Sequence, residues 1–600
     1  MHTLTWNPST KRFVVTGGDL RGRDAAGAVL AGVPGGIRQM VGVSQGTVTF
    51  PSHPAVASKL FAAVISLGGQ IDPSAHSAAN DLWRRTAAKA SCLEGKSKPG
   101  LPVPVELRRA PMAHQAQAVL AIRELEYRAL LADEMGLGKS LTALAAVELG
   151  RRERGFLNLG VVCPASVKHN WRHEIETTIR DRVLVIDGDR QDRIEQFTSL
   201  TEGAAVVINY DLLAYLTEKQ FAQLCDHVRA GALILDESHY LKDHKSRRSS
   251  LCAELAKRAT CVLLLTGTPV RNTIADLYHQ VQLITPVWRS FYEFRDRYLV
   301  LGEMRLGART VQKIVGVKNE AELQQIVNAV QVRRAKADLL NLPEKLYCPV
   351  ELELTEAERE FYRTLRDRWL YDFRDLPKDA LVFSPQVRSG LERLLRLEQV
   401  AQGFLGGVQD EIRHLLEHRT DHWRSVPGRT EMWFPASAKF QWTIEAIENL
   451  SKEGKRIVLW SQFNAPLSVL AQELSLRGLA SVTLHGGLTS AEKREVVQRF
   501  QGGEGHVFLG QVRMAEGFNL TSATEVVFYG RNWSPAVNAQ AEDRCHRIGQ
   551  KGTVTIYQPY VRGTLEQHLH EVLARKADEA AQVLRNLTVE QLRDWIGGAA

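Results

Sequence analysis

Residues 131–140 read LADEMGLGKS, and no other stretch limits the fold as strongly. It lies between the apolar runs 118–122 and 141–149, so a glycine-rich turn separates helical segments. Gly136 and Gly138 leave backbone N–H groups free to approach an anion, and a helix opening at Lys139 points its positive end the same way. In a loop of this kind Lys139 reaches the β- and γ-phosphates of a nucleotide and the Ser140 hydroxyl holds Mg²⁺. Asp133 stands where a general phosphate loop has its first glycine. Alone, these residues fit a glycine-rich helix entry with a surface lysine equally well.

The order of segments narrows the choice. From residue 105, short apolar strands (129–131, 160–163, 183–186, 205–208, 232–235 and 261–265) alternate with helical segments. This predicts a parallel sheet covered on both faces, with the loop and Asp236 at carboxyl ends of strands, where such sheets bind ligands. Residues 275–430 change character: charged helical stretches such as 355–373 and 386–401 read as protrusions, followed by a weaker-patterned connection over 403–430. From residue 437 the alternation returns at 457–460, 481–484, 506–509, 525–529 and 553–558, and 563–595 reads as terminal helices. The first hundred residues form a small α+β module, with strands at 3–6, 12–16 and 47–50, a helix at 55–67, and a linker at 91–104. Its Trp6, Lys11, Arg12, Arg21, Arg23 and Arg38 fit either contacts to nucleic acid or a solvated basic surface.

The expected fold class is therefore α/β, with two parallel-sheet lobes, helical protrusions and the N-terminal α+β module. The expected divisions are 1–100 for the accessory module, 105–345 for the first lobe with its protrusion, 346–430 for a helical link, and 431–600 for the second lobe. Six hundred residues exceed what one core holds. No apolar run approaches the ~18 residues of a membrane span, and MHTLTWNPSTKRF lacks the apolar core of a signal peptide. The seven cysteines stand singly with no CxxC pair, which points to a reduced, intracellular protein without a zinc ribbon. A net charge of +8 permits, without requiring, a polyanionic partner.

Three further groups carry chemistry. The strand 232–235 runs into Asp236-Glu237-Ser238-His239: the first acid suits Mg²⁺ and the second can polarise a water. Thr266-Gly267-Thr268, ahead of Pro269 and Asn272, offers small hydroxyls at a strand end, suited to coupling nucleotide to track. Residues 540–550 read QAEDRCHRIGQ, where a helix would set Arg544 and Arg547 on one face as arginine fingers across a cleft.

Together these motifs resemble a SWI/SNF-type ATPase of helicase superfamily two, over residues 111 to about 576. PMAHQ resembles the family's upstream glutamine motif, DEMGLGKS its first motif, and Val162-Cys163-Pro164 with Asn170-Trp171 the next. Asn209-Tyr210-Asp211, DESH, LTGTPVRN, the Arg333-Arg334…Lys336…Leu342-Pro343…Lys345 segment, LHGG with Arg494 and Phe500, and Gly517-Phe518-Asn519-Leu520 follow in family order. The resemblance implies two RecA-like lobes binding ATP and Mg²⁺. Gln115 would read adenine, and Asp133, Glu134, Met135, Gly136, Leu137, Gly138, Lys139 and Ser140 would cradle phosphates. Ser140 and Asp236 would hold the metal, Glu237 would activate water, and Gln540, Arg544 and Arg547 would complete catalysis. Thr266, Gly267, Thr268, Gly517 and Asn519 would couple hydrolysis to DNA.

Met514 and Ala515 replace two family glycines and Gly530 replaces an acid; with DESH and the short link these lean toward the branch of the HARP-type annealing helicases. The resemblance implies a translocase, monomeric on double-stranded or forked DNA, with a replication, repair or transcription protein as a further partner and no membrane. A strand-separating helicase and an ATP-switched binding scaffold are the alternatives. The expected setting is the cytoplasm and nucleoid of a bacterial or viral system, or the nucleus of a eukaryotic one.

Overall fold

The computed structural model describes residues 2–17, 29–41, 45–94, 103, 105–270, 273–306, 309–340, 342–374, 395–406, 423–426, 431–515, 517–567, 569–571 and 573–574. Arg21, Arg23 and Asn272 lie outside these residues, as do much of the expected link and most of the expected terminal helices. The chain divides into two compact units, the first built mainly from residues up to 301 with 314–340, the second mainly from 341–587.

The first unit opens on a five-stranded sheet: β1 (Thr3–Asn7), β2 (Arg12–Thr16), β3 (Ile37–Val41), β4 (Gln45–Pro51) and β5 (Gln70–Ile71), in the order β3-β4-β2-β1-β5. Asn7 Oδ1 accepts from the backbone of Ser9 and Thr10, which tightens the β1–β2 turn. Helix α1 (Pro54–Ser66) buries Val56, Leu60, Phe61 and Val64. Helix α2 (Pro73–Leu93) starts on an Asp72 cap.

After α3 (Ala113–Glu124) comes a seven-stranded parallel sheet: β6 (Arg128–Leu131), β7 (Leu159–Cys163), β8 (Val183–Val185), β9 (Ala205–Asn209), β10 (Ala232–Asp236) and β11 (Cys261–Leu265), completed by the two-residue β14 (Gln331–Val332). The order is β14-β6-β11-β10-β7-β9-β8. Strands such as β7 and β11 are unbroken apolar runs because both faces are covered. Helix α4 (Lys139–Arg154) buries its Leu/Ala stripe on the same core and ends on Gly155 at φ +71°. Within 275–430, where charged helical stretches are expected to dominate, residues 299–317 form a hairpin, β12 (Leu299–Leu306) with β13 (Arg309–Val317). Helix α5 (Glu320–Val330) then leads directly into β14.

The second unit is built on a six-stranded parallel sheet. Its strands are β15 (Lys345–Leu352), β19 (Ile457–Ser461), β20 (Ser481–Leu484), β21 (Val507–Gln511), β22 (Glu525–Phe528) and β23 (Val554–Val561), in the order β15-β23-β22-β19-β21-β20. A small antiparallel sheet joins β16 (Phe404–Leu405), β17 (Arg424–Ser425) and β18 (Met432–Trp433). Strand β15 corrects the sequence reading, which gave 346–352 to a helical link. It is an edge strand paired along its whole length with β23, with Leu346 and Tyr347 exposed. Helix 356–374 is present as expected. No helix among the described residues is long and apolar enough to cross a membrane.

Candidate nucleotide site and the arginine turn

Register sets the site in the first unit. Val332 pairs with Leu131, Leu131 with Leu265, and Leu265 with Asp236, so four strands end on one row. The phosphate loop, Thr266-Gly267-Thr268 and the acid pair all leave from that row. Asp236 lies two strands from β6, with β11 between them.

The loop is folded around its own lysine. Lys139 Nζ donates to the carbonyls of Asp133 (2.9 Å) and Glu134 (3.4 Å). Gly136 and Gly138 have φ of +84° and +77°, a region L side chains rarely adopt. A side chain at Gly138 would also collide with Gln115 Nε2, and one on Gly267 would meet Met135 Cγ at 2.7 Å. Met135 and Leu137 are buried, so they shape the loop as apolar pins. Ser140 stands in the first turn of α4.

Two expected nucleotide contacts are engaged otherwise. Gln115 is buried: its Nε2 donates to Leu137 O (3.1 Å) and its Oε1 accepts from Met112 N (2.8 Å), so the amide braces the loop from behind. His114 reaches the same Leu137 carbonyl at 3.1 Å. Asp133, 1% exposed, is locked in a two-point ion pair with Arg334, which also donates to His114 O. The Asp133 carboxylate is therefore spent on Arg334, and only its carbonyl meets Lys139. The Glu134 carboxylate accepts from Lys336 N at 2.8 Å.

Two other motifs hold Asp236, and His239 links Glu237 to a third. Trp171 Nε1 donates to Asp236 Oδ2 (2.7 Å), and Tyr210 Oη donates to Asp236 O (2.7 Å). Burial, then the charge of Glu237, raises the Asp236 carboxyl well above the usual carboxylate range. A bound cation would restore its charge. Glu237 sits at φ +48°, a left-handed conformation that turns it off the strand end. His239, 2% exposed, places Nδ1 3.1 Å from Glu237 Oε2 and 3.3 Å from Thr266 Oγ1, so one ring spans the acid and the next motif. Thr266 Oγ1 in turn accepts from Thr268 N, and the buried Thr268 Oγ1 has no hydrogen-bond partner among the described residues. Sequence reasoning missed Gln280. It is fully buried, faces Ser238 Oγ at 2.8 Å and donates to Pro269 O (2.7 Å), tying DESH to the threonine turn. Its only signal was being one of two glutamines, with Gln282, among the apolar residues of the helix Asp276–Ile284.

The donor set fits a magnesium nucleotide: an ammonium inside the loop for the phosphates, and a hydroxyl at a helix start with a carboxylate at a strand end, two oxygen donors of the kind Mg²⁺ takes. Two such ligands leave its other positions to phosphate oxygens and water.

In the second unit, helix α6 (Pro535–Glu542) carries Gln540 and stops before the arginines. Arg544 and Arg547 thus lie in a turn rather than on a helix face, which corrects the sequence reading. Arg544 donates to Gln540 O (3.2 Å) and Phe518 O (3.1 Å), and Arg547 to Asn519 Oδ1. Gly517 has φ +80°. Gln540 is buried, and its Nε2 has no hydrogen-bond partner among the described residues. From the other side Lys345 Nζ binds Glu542 and Asp543, each at 3.1 Å, Tyr347 Oη donates to Glu542 (3.0 Å), and His546 Nε2 lies 2.7 Å from Pro343 O. Burial alone would lower Lys345, but Asp543 and Glu542 outweigh it and its ammonium titrates above the ordinary value.

The family departures have local causes. Ala515 is buried at φ −71°, where no glycine is needed. A Cβ on Gly530 would meet Gln402 Oε1 at 2.7 Å, so Gln402 fills the space a side chain would take.

Residues 114–402 match the SNF2-related domain and residues 438–549 the helicase conserved C-terminal domain. The chain belongs to the SNF2-related, SWI/SNF-type ATPase family. It is 24% identical over 84% of its length to the DNA annealing helicase and endonuclease ZRANB3 of Bos taurus, of which it covers 43%. It is 27% identical over 78% of its length to a SWI/SNF-related matrix-associated actin-dependent regulator of chromatin subfamily A-like protein 1 homolog of Caenorhabditis elegans, covering 61% of it. A putative ATP-dependent helicase/translocase, YwqA of Bacillus subtilis, is 25% identical over 80% of the chain, which covers 48% of that protein. The chain therefore spans between about two fifths and three fifths of these relatives.

Proposed function

We propose that this chain is a DNA-dependent ATPase that translocates on double-stranded or forked DNA without separating its strands. The observation that carries the reading is the single row on which the phosphate loop, the acid pair and the threonine turn begin, with His239 spanning Glu237 and Thr266. Lys139 and the start of α4 hold the phosphates, and Ser140 and Asp236 hold Mg²⁺, with Trp171 fixing the Asp236 carboxylate. Held there, the metal would supply positive charge against the phosphates. Glu237 orients and polarises the attacking water, and His239 relays its state to Thr266. Arg544, Arg547 and Gln540 of the second unit stabilise charge on the transferring phosphoryl. Gly517 and Asn519, which hold the arginine turn, and Thr266, Gly267 and Thr268 link hydrolysis to movement.

The DNA part rests on family membership, on relatives named as annealing helicase and helicase/translocase, and on the net charge of +8. Contacts mainly to phosphates would make binding steeply salt-dependent. We assign the HARP-type branch, substrate selection by the N-terminal module, and a role in fork remodelling, repair or displacement of bound proteins on the same grounds.

The test is steady-state ATP hydrolysis without DNA and with single-stranded, duplex or forked DNA, with Lys139→Ala as the blank. Stimulation by duplex or forks is expected. Stimulation by single strands alone, with displacement of a labelled strand, replaces this reading with a strand-separating helicase. ATP binding with no turnover above the blank leaves an ATP-switched scaffold.

A further inference from the structure

The half of the phosphate loop that precedes its glycines is built on a second strip of chain. Ala132 N donates to Val332 O (2.7 Å), Glu134 N to Arg334 O (3.1 Å), and Lys336 N to the Glu134 carboxylate (2.8 Å). Between these bonds the buried Arg334 fork grips Asp133. Asp133 is thus fixed by its carboxylate while its carbonyl holds Lys139 Nζ. Strip 332–336 is a template, and Asp133 passes its position to the lysine.

The template is the continuation of α5, and the N-terminal module grips α5 at three levels. Lys59 pairs with Glu322, which also accepts from Arg297 and from Tyr298 Oη (2.5 Å). His53, 1% exposed, lies 3.1 Å from Ile326 O. Lys89, 8% exposed, reaches past the helix end and donates to Asn328 O and to Gln331 O (3.0 Å). Gln331 is the first residue of β14, three positions before Arg334. An ammonium on the last carbonyls of a helix satisfies groups that the helix cannot. Here it also fixes where the template begins.

We propose that the N-terminal module sets nucleotide affinity: Lys89 fixes the end of α5, strip 332–336 follows, and Arg334 positions Asp133 and through it Lys139. Arg334 and Lys89 are positioning residues, since both act on the nucleotide through other groups. The inference rests on the nucleotide-site reading above, and it gives the module a role separate from choosing DNA.

The experiment measures binding of a fluorescent ATP analogue with Mg²⁺ by the full chain without DNA, then kcat and KM for ATP with duplex. Lys89→Met is expected to weaken nucleotide affinity and raise KM by about tenfold, within the usual range of coupling between sites, with kcat nearly unchanged. Lys89→Arg, which keeps donors at that end of α5, restores much of the loss. Arg334→Lys keeps the buried charge but loses the fork, and is expected to lose at least as much affinity while melting near the native temperature. Native affinity in both Lys89→Met and Arg334→Lys overturns the proposal. Native affinity in Lys89→Met with a loss in Arg334→Lys removes the module from it. A fall in kcat and KM alike with a lowered melting temperature makes Lys89 structural only, and overturns its positioning role. If Lys89→Met does not fold, Lys89→Arg and Arg334→Lys decide on the same readouts. A native chain that binds no analogue sinks the nucleotide-site reading itself, which separates the two failures.

Discussion

The phosphate loop of the first unit and the arginine turn of the second both hold a cation on nearby acceptors, but by different means. Lys139 rests on carbonyls five and six residues back in its own loop, which two left-handed glycines shape. Arg544 and Arg547 lean on Phe518 and Asn519, more than twenty residues away, and the turn they sit in is fastened by Pro343, Lys345 and Tyr347 of yet another segment. The glycine half of the loop carries its geometry in its own backbone, whereas the turn takes its geometry from its neighbours. Substitutions around the loop should therefore act on binding, and those around the turn on the chemical step.

The largest effect should come from the turn itself. Arg547→Gln or Arg544→Gln is expected to lower kcat by about a thousandfold, the low end for a lost arginine finger, with ATP binding nearly intact. A variant that loses ATP binding in proportion would erase the contrast. Next is Glu237→Gln, with kcat down about a hundredfold or more and nucleotide still bound, read by single-turnover hydrolysis beside equilibrium binding. Retained turnover would move the general base to another residue. Smaller again is Lys345→Met. It leaves Glu542 and Asp543 without their ammonium and should slacken the turn, lowering kcat about tenfold, as losses in supporting shells do, with KM for ATP unchanged. A rise in KM instead would show that segment 343–347 serves nucleotide binding, and the two regions would then be built alike.

The sequence shows the same asymmetry. Strands such as Cys261–Leu265 are continuous apolar runs, and the alternation of such runs with helices was enough to locate nearly every strand of both parallel sheets. Strand β15 escaped because KLYCPVEL lies at a sheet edge and carries charge and exposed apolar residues together. The arginine turn was misread because QAEDR suits a helix. Its end at Glu542 coincides with the hold of Lys345 on Glu542 and Asp543, which no local pattern records. Asp133 was grouped with the phosphate contacts for a similar reason: its partner Arg334 lies 201 residues away. Trp171, 65 residues from Asp236, was legible only through family resemblance.

The two units also differ in what they bury, and acid should separate them. The first buries His53, His114, His227 and His279, all lowered by burial, His53 and His279 to about 4. A histidine whose folded value lies below its unfolded value near 6.5 contributes stability that is whole above pH 6.5 and is lost as pH falls toward the folded value. At pH 5.5 the cost is about 1.4 kcal/mol each for His53 and His279. Asp236, raised by burial, runs the other way in that unit. The second unit buries Glu358, Glu398 and Glu566, all raised by burial, Glu398 to about 7. A carboxyl raised above its unfolded value opposes folding at neutral pH, and the opposition fades as pH falls from about 7 toward 4.5. His570, lowered by burial, offsets part of this. Lowering pH from 7.5 to 5.5 should therefore loosen the first unit while the second holds or tightens. Amide hydrogen exchange, read as opening free energies for each unit at the two pH values, follows both at once. Equal loss in both units would mean that the buried histidines do not set the acid response. His53→Gln and His279→Gln should then leave the first unit's pH dependence unchanged, whereas the expectation here is that they flatten it.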